Sequence, residues 1–140
     1  MSHEANNNVA VLTEAYRRWH DSRGSSVDHW MSICDENIQF GSLIQGSAPG
    51  VAYMSEYKAR DELGRYFEGL AHDWEMIEYK VDQFVAQDNR VVMLGRCSWR
   101  NKHTGKVVKT PKADSWRFAN GKAVEFYEYF DTAQVHAAVV

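Results

Sequence analysis

Residues 111–131 constrain the fold most, because they predict two antiparallel strands joined by a tight turn. Asn120 and Gly121 form that turn, since both tolerate a positive φ and both flanks are rich in apolar and aromatic residues. Strand alternation groups the side chains of one face as follows: Lys112, Asp114, Trp116 and Phe118 on the first strand, and Val124, Phe126, Glu128 and Phe130 on the second. Asp114 and Glu128 therefore lie among aromatic rings, where a carboxylate is costly unless it is paired, hydrated or used chemically.

The rest of the chain predicts helices followed by a long meander of strands. Hydrophobic periodicity predicts helices at 9–20, 27–34 and 58–71, and strands at 38–43, 74–87, 90–102 and 107–118. Gly24 is expected to stop the first helix and Ser26 to cap the second. Residues 1–8 are expected to be disordered, 9–140 to form one domain, and 132–140 to be a short tail. The order α-α-β-α-β-β-β-β predicts an α+β fold, a cone in which a curved antiparallel sheet wraps around the helices.

Composition excludes several classes of function. The net charge of −3 comes from interspersed acidic and basic residues, so no basic stripe indicates a nucleic-acid partner. No apolar run reaches 18 residues and the first residues lack a signal-peptide pattern, so we expect a cytoplasmic protein without a membrane partner. Cys34 and Cys97 have no metal-ligand spacing and are expected to be buried apolar side chains. The scattered histidines and glycines predict neither a metal site nor a cofactor.

The element order and the hairpin residues resemble the nuclear transport factor 2-like (NTF2-like) superfamily, above all its SnoaL-like polyketide cyclases and ketosteroid isomerases. Tyr16 falls where the isomerases have a hydrogen-bonding tyrosine on the first helix. The run Asp-Ser-Trp-Arg-Phe at 114–118 matches their penultimate strand, whose aspartic acid an apolar site keeps protonated. Gly41 stands where they have their basic aspartate, which argues against steroid isomerisation. The run at 128–132 also resembles SnoaL-like proteins.

This resemblance implies cofactor-independent acid–base chemistry, as in an isomerase, cyclase or dehydratase acting on a polyketide- or steroid-like carbonyl compound. Asp114 would be the acid or base, Tyr16 a donor to a substrate oxygen, and Glu128 a second carboxyl group. The expected ligand-binding residues are Trp99, Trp116, Phe126 and Phe130 as walls, Tyr53 and Tyr57 as a lid, and His20 as a pocket histidine, with His72 as its alternative. The partners implied are a small apolar organic ligand and a second copy of the chain in a homodimer.

Two alternatives stay open from the sequence. Asp114 could form a salt bridge with Arg96, Arg100 or Lys112 at the sheet surface, and Glu128 could pair with a basic residue on a neighbouring strand. The protein would then be a non-catalytic binding module of the same fold. A filled cavity with no open mouth would instead favour a domain that only dimerises. Carboxylates that face a cavity without a basic partner would favour an enzyme.

Overall fold

The fold consists of helices and one sheet in an α+β arrangement. The computed structural model describes residues 2–42, 57, 58 and 60–140. Its helices are α1 (His3–Asp21), α2 (Val27–Ile33), α3 (Arg60–Asp73) and α4 (Thr132–Val139). Its strands are β1 (Cys34–Ser42), β2 (Tyr57–Lys58), β3 (Trp74–Gln87), β4 (Arg90–Asn101), β5 (Val107–Ala119) and β6 (Lys122–Phe130). The predicted α+β class is confirmed, with β2 and α4 added to the predicted order.

Helix α1 begins at His3, so residues 3–8, which were expected to be disordered, are helical. The Ser2 side chain caps the helix by accepting a hydrogen bond of 3.1 Å from the Ala5 backbone N–H. Ala5 and Asn8 are both buried and continue the inward-facing stripe of the helix to Leu12. The three asparagines at 6–8 concealed this stripe, because they are weak helix formers that often mark loops.

Two other helix ends also differ from the sequence expectation. The Ser26 side chain makes no capping hydrogen bond to α2, although Gly24 ends the preceding turn with the expected positive φ of 82°. Residues 132–139 are helical rather than a tail. Asp131 caps α4 by accepting a hydrogen bond of 3.1 Å from the Gln134 N–H, and Val135 packs into the core.

The six strands form one sheet in the order β2-β1-β6-β5-β4-β3. Every neighbouring pair is antiparallel except β1 and β6, which run parallel, so the sheet is mixed where an antiparallel one was predicted. The long chain path through α3 and the meander allows this, because parallel neighbours need a crossover rather than a hairpin.

The predicted hairpin of β5 and β6 is confirmed. Asn120 and Gly121 have φ values of 51° and 81°, as a tight turn of this kind requires. A register shift follows the turn, so that Ala123 rather than Val124 lies in the core. Beyond this shift Asp114 and Glu128 are paired directly across the two strands.

The backbones of β3 and β4 lie very close to each other near Gly95, where the strand pairing is irregular. Strand β3 carries two register irregularities against β4, and Gly95 lies beside the second. A Cβ at Gly95 would lie 2.2 Å from the Lys80 carbonyl oxygen, so only glycine allows this approach. Helices α1 and α3 pack on the inner face of the sheet. None of the described helices is long and apolar enough to cross a membrane.

Candidate active site

A small cavity, chamber 1, lies between the helices and the inner face of the sheet. Its accessible volume is about 40 Å³. One water molecule needs roughly 10–15 Å³ of accessible volume, so chamber 1 has room for a few heavy atoms. The described residues that line it are Tyr16, Trp19, Trp30, Cys34, Ile38, Phe40, Leu63, Tyr66, Phe67, Tyr79, Lys112, Asp114, Trp116 and Phe126.

Asp114 is the most deeply buried carboxylate that faces chamber 1, with 1% of its surface exposed. Its Oδ2 accepts a hydrogen bond of 2.6 Å from the Tyr16 hydroxyl and one of 3.2 Å from the Tyr79 hydroxyl. Its Oδ1 accepts no hydrogen bond from any described residue, although Lys112 Nζ lies 3.3 Å away. One carboxylate oxygen is thus fixed by two donors, and the other is left for a ligand or for water.

Tyr16 is held as a donor to Asp114 by its other contacts. The Trp116 indole N–H donates a hydrogen bond of 2.9 Å to the Tyr16 hydroxyl oxygen, which leaves the hydroxyl proton directed at Asp114. Burial, followed by the nearby Asp114 carboxyl, raises the pKa values of Tyr16 and Tyr79 well above their usual range. Both tyrosines therefore stay protonated and position the carboxylate.

Glu128 faces a second cavity, chamber 2, which offers about 60 Å³ by the same measure. Its Oε1 accepts a hydrogen bond of 3.0 Å from the Tyr66 hydroxyl, and its Oε2 lies 2.9 Å from Lys112 Nζ. The described residues that line chamber 2 are Trp19, Tyr66, Leu70, Trp74, Tyr79, Cys97, Trp99, Val108, Thr110, Lys112, Glu128, Phe130 and Val135. The two carboxyls thus belong to one cluster but open into different chambers.

Lys112 joins the two carboxyls and lines both chambers. Its side chain is 11% exposed, and its ammonium also donates a hydrogen bond of 3.0 Å to the Tyr79 hydroxyl. Burial by itself lowers the pKa of Lys112, but Asp114 and Glu128 raise it, and the result is well above the usual value. Lys112 is therefore a fixed positive charge rather than a neutral amine.

The charges of this cluster do not balance if all three groups are ionised, because two carboxylates then face one ammonium. A buried net charge is expensive in free energy. Burial raises the pKa of Glu128, and Asp114 raises it further, although Lys112 and Tyr66 act in the opposite direction. A proton on Glu128 leaves one carboxylate and one ammonium, so the cluster is then neutral. The raised pKa of Glu128 therefore favours its protonated form next to chamber 2.

Two indole N–H groups also lack partners. Trp30 Nε1 and Trp74 Nε1 are buried without a hydrogen-bond acceptor among the described residues. Trp30 lines chamber 1 and Trp74 lines chamber 2. The walls of chamber 1 therefore include two residues with a buried polar atom that makes no hydrogen bond, Asp114 and Trp30, and a ligand that carries complementary polar atoms could satisfy them.

The predicted wall residues divide between the two chambers. Trp116 and Phe126 line chamber 1, whereas Trp99 and Phe130 line chamber 2. Tyr53 lies outside the described residues. Tyr57 contributes backbone pairing with Phe40 in the sheet, and its side chain lies outside the described part as well.

The two histidines considered for the pocket lie elsewhere. His20 Nδ1 is 2.8 Å from the Tyr79 carbonyl oxygen at the surface, and His20 is not among the described residues that line either chamber. His72 is exposed and contacts Asp73 instead. The buried Cys34 and Cys97 are unpaired thiols as expected, and burial raises their pKa values to about 12 and about 11.

Sequence reasoning missed three members of the site. Lys112 was considered only as a surface salt-bridge partner, although it shares the inner face with Asp114. Tyr66, within the predicted third helix, and Tyr79, within a predicted strand, had no assigned role in the site. The available signal was the tyrosine hydroxyl itself, because a tyrosine at a core position needs a hydrogen-bond partner there.

Comparison with known proteins identifies relatives of this architecture. A family model for a SnoaL-like domain matches residues 12–126. An NTF2-like protein of unknown function from Burkholderia pseudomallei aligns over 100% of this chain and 99% of its own, with a TM-score of 0.84 and 22% identity. TerC co-crystallised with polyporic acid aligns over 95% of this chain and 98% of its own, with a TM-score of 0.80 and 16% identity.

A third similar structure is a protein of ketosteroid isomerase-like fold from Catenulispora acidiphila, in complex with trimethylamine. It aligns over 91% of this chain and 90% of its own, with a TM-score of 0.73 and 11% identity. No functionally curated protein matches the chain. At these identities the structural similarities show the fold alone.

Proposed function

The chain belongs to the SnoaL-like domain family, whose members include polyketide cyclases and isomerases, and on that basis we propose that it catalyses proton transfer at a carbon next to a carbonyl group. The substrate is a small, flat apolar carbonyl compound, or the carbonyl-bearing end of a larger polyketide- or steroid-like molecule. No cofactor enters the proposed chemistry. The observation that carries the proposal is Asp114, buried at the wall of chamber 1 with Oδ2 fixed by two tyrosine hydroxyls and Oδ1 without a hydrogen bond, 3.3 Å from Lys112 Nζ.

In the proposed reaction Asp114 Oδ1 takes a proton from the carbon next to the carbonyl. The electron pair of the broken C–H bond moves into the enolate, and the negative charge develops on the carbonyl oxygen. Trp30 lines the same chamber and its indole N–H has no acceptor among the described residues, so it is our candidate to stabilise that oxygen. Asp114 then returns the proton to another carbon or to a departing hydroxyl group, which completes an isomerisation or a dehydration.

The other members of the cluster act by positioning and charge. Tyr16 and Tyr79 fix Asp114 Oδ2, so in this proposal Tyr16 orients the base rather than donating to the substrate. Lys112 supplies a positive charge 3.3 Å from the reacting oxygen. Glu128 is a second carboxyl that shares Lys112 with Asp114 and adjusts the charge of the cluster by gaining or losing a proton.

Hydrogen–deuterium exchange at the substrate carbon tests this proposal without knowledge of the product. Acetone, cyclopentanone and cyclohexanone, which are small enough for chamber 1, would be incubated with the protein in D₂O, and the loss of the signal next to the carbonyl would be followed by proton NMR. We expect wild-type protein to accelerate the exchange of at least one probe, and Asp114→Asn to reduce that acceleration about 10²- to 10⁴-fold. Asp82→Asn, which changes an exposed carboxylate, is the control variant and should accelerate the exchange as much as wild type does.

A second candidate function is a non-catalytic ligand-binding module. It is favoured by Lys112, whose contacts with both carboxylates resemble a structural ion cluster. The same experiment separates the two functions. A ketone that shifts the resonances of chamber residues without any exchange, or exchange that is equal in wild type and Asp114→Asn, contradicts catalysis at Asp114 and supports the binding module.

We further propose that the outer face of the sheet forms a homodimer. Three large apolar side chains are exposed on strands β3, β5 and β6, namely Val85, Val107 and Tyr129. Because inner-face neighbours such as Val108 and Glu128 are buried, strand alternation directs Val107 and Tyr129 outward. Sedimentation velocity reports the assembly directly, and a monomer at micromolar concentration would contradict it.

A further inference from the structure

Three side chains suited to binding a metal ion meet where the end of α3 contacts the turn between β4 and β5. His72 and Asp73 are the last residues of α3, and His103 lies in the turn. Asp73 Oδ1 is 2.8 Å from His72 Nδ1 and also 2.8 Å from His103 Nε2. The ligand atoms all lie within 4.8 Å of one another. Both imidazoles thus converge on one carboxylate oxygen.

The backbone around this cluster is fixed independently of the three side chains. The Lys102 backbone N–H donates a hydrogen bond of 2.8 Å to the Asp73 carbonyl oxygen, and Lys102 Nζ donates one of 2.7 Å to the Ala71 carbonyl. Asn101 Oδ1 accepts hydrogen bonds of 3.0 Å from the His103 and Thr104 N–H groups. Because these bonds hold α3 and the turn together, the ligands need little additional ordering to bind an ion.

The chemistry of the three ligands selects one class of ion. Two imidazole nitrogens and one carboxylate oxygen suit a divalent transition metal, whereas Ca²⁺ and Mg²⁺ prefer oxygen ligands throughout. Zinc–nitrogen and zinc–oxygen bonds of about 2.0–2.2 Å place tetrahedral ligand atoms about 3.3 Å apart. Each imidazole nitrogen now lies 2.8 Å from Asp73 Oδ1, which is about 0.5 Å closer than tetrahedral coordination requires, and the two nitrogens lie no more than 4.8 Å apart. Because both imidazoles are exposed, rotation of their side chains can bring the three ligand atoms to coordinating distance.

We infer that His72, Asp73 and His103 form a surface site for Zn²⁺ or a similar divalent transition metal ion, with water as the remaining ligand. The ion takes the place of the two protons that now lie between the imidazoles and Asp73 Oδ1. It fastens the end of α3 to the β4–β5 turn. The site is separate from the proposed acid–base chemistry, although Asp73 directly precedes Trp74, which lines chamber 2.

Zn²⁺ titration of tag-free protein by isothermal calorimetry tests the inference, with wild type compared to three variants. We expect one Zn²⁺ per chain in wild type and a loss of affinity of more than about tenfold in both His103→Ala and Asp73→Asn. His136→Ala removes an exposed histidine on α4 and should bind Zn²⁺ as wild type does. Saturating Zn²⁺ should raise the melting temperature of wild type and His136→Ala, and not that of His103→Ala.

Imidazole nitrogen NMR locates the ion and keeps the test independent of folding defects in any variant. Zn²⁺ should shift the ring nitrogens of His72 and His103 in wild type while those of His136 stay unchanged. The inference is overturned if wild type binds no Zn²⁺, if His103→Ala binds with wild-type affinity, or if the shifts appear at other histidines.

Discussion

Two clusters of charged residues contrast sharply in this protein. On the surface of α1, Glu14 Oε1 lies 2.6 Å from Arg17 and 2.8 Å from Arg18. In the interior, Glu128 lies 2.9 Å from Lys112. Hydrogen bonds from Arg17 and then Arg18 lower the pKa of Glu14 to about 2, whereas burial raises the pKa of Glu128. Contact with a cation therefore does not decide the direction of the shift.

Burial explains the difference between the clusters. Water solvates the surface carboxylate in every state, so the arginines act as a small additional attraction. The interior carboxylate has lost that water, and a second carboxylate competes for the same ammonium. The surface cluster is exposed to water on a helix, whereas the interior cluster lies beside the cavities and contains Glu128, whose pKa burial raises. This contrast is why we propose that the chemistry takes place at the interior cluster.

The largest effect is expected from Lys112→Met, which removes the only cation that the structure places against Asp114 and Glu128 among the described residues. Two buried carboxyls would then lack compensation, and the free energy of unfolding should fall by about 3–5 kcal/mol. Urea denaturation monitored by circular dichroism measures this loss. Lys109→Met is the matched control, because Lys109 is exposed on the same strand.

A second variant keeps this prediction interpretable if Lys112→Met fails to fold. Adding Asp114→Asn and Glu128→Gln to Lys112→Met removes the uncompensated charges and should recover much of the lost stability. A loss in Lys112→Met no larger than in Lys109→Met would show that Lys112 does not compensate the carboxyls.

An intermediate effect is expected in the pH dependence of stability. The folded-state pKa of Glu128 is raised above 4.5, so its protonated form is favoured by folding. The resulting stability is fully present below pH 4.5 and is lost as the pH rises through the folded-state pKa. As the pH rises above 4.5, wild type should therefore lose stability relative to Glu128→Gln. Urea denaturation at several pH values gives this difference.

The control for the pH experiment is Glu68→Gln, an exposed glutamate on α3. Its stability curve should run parallel to that of wild type. A Glu128→Gln curve that also runs parallel to wild type would mean that Glu128 titrates in the folded protein as it does in the unfolded chain.

The smallest effect is expected from Arg17→Gln on the surface of α1. Loss of the Arg17 hydrogen bond should raise the pKa of Glu14, as measured by carboxyl-carbon NMR, although the Arg18 hydrogen bond remains. The melting temperature at pH 7 should fall in step with this rise in pKa, and only slightly, because water solvates the exposed carboxylate in both variants. Arg65→Gln, on α3, should leave the pKa of Glu14 where it is. A large fall in melting temperature for Arg17→Gln, without one for Arg65→Gln, would mean that the surface cluster also contributes strongly to stability, which contradicts the difference from the interior cluster.

Much of the fold could be predicted because its signals are local. Alternation along 111–131 correctly predicted that Asp114, Trp116 and Glu128 share the inner face, and the Asn120–Gly121 turn has the expected backbone conformation. Residues 3–8 and 132–139 were assigned wrongly, because packing against the rest of the chain stabilises these helices more than their own composition does.

The candidate site was only partly predictable. The two carboxyls followed from the pattern, and Tyr16 from a family resemblance, but the roles of Tyr66 and Tyr79 depend on distances between elements far apart in sequence. The division of the interior into two chambers also depends on how whole side chains fill the space, which no local pattern specifies.

The sequence by itself determined the order of the main elements, the hairpin and the placement of Asp114 and Glu128 on strand faces that carry aromatic rings, because strand alternation and turn conformation are properties of neighbouring residues. Tertiary structure alone decided which groups meet. It placed Lys112 between the two carboxyls, aimed the tyrosine hydroxyls at them, and brought His103 to His72 and Asp73. Those contacts depend on the curvature and register of the sheet and on the position of α3 against it, which are set by packing across the whole molecule.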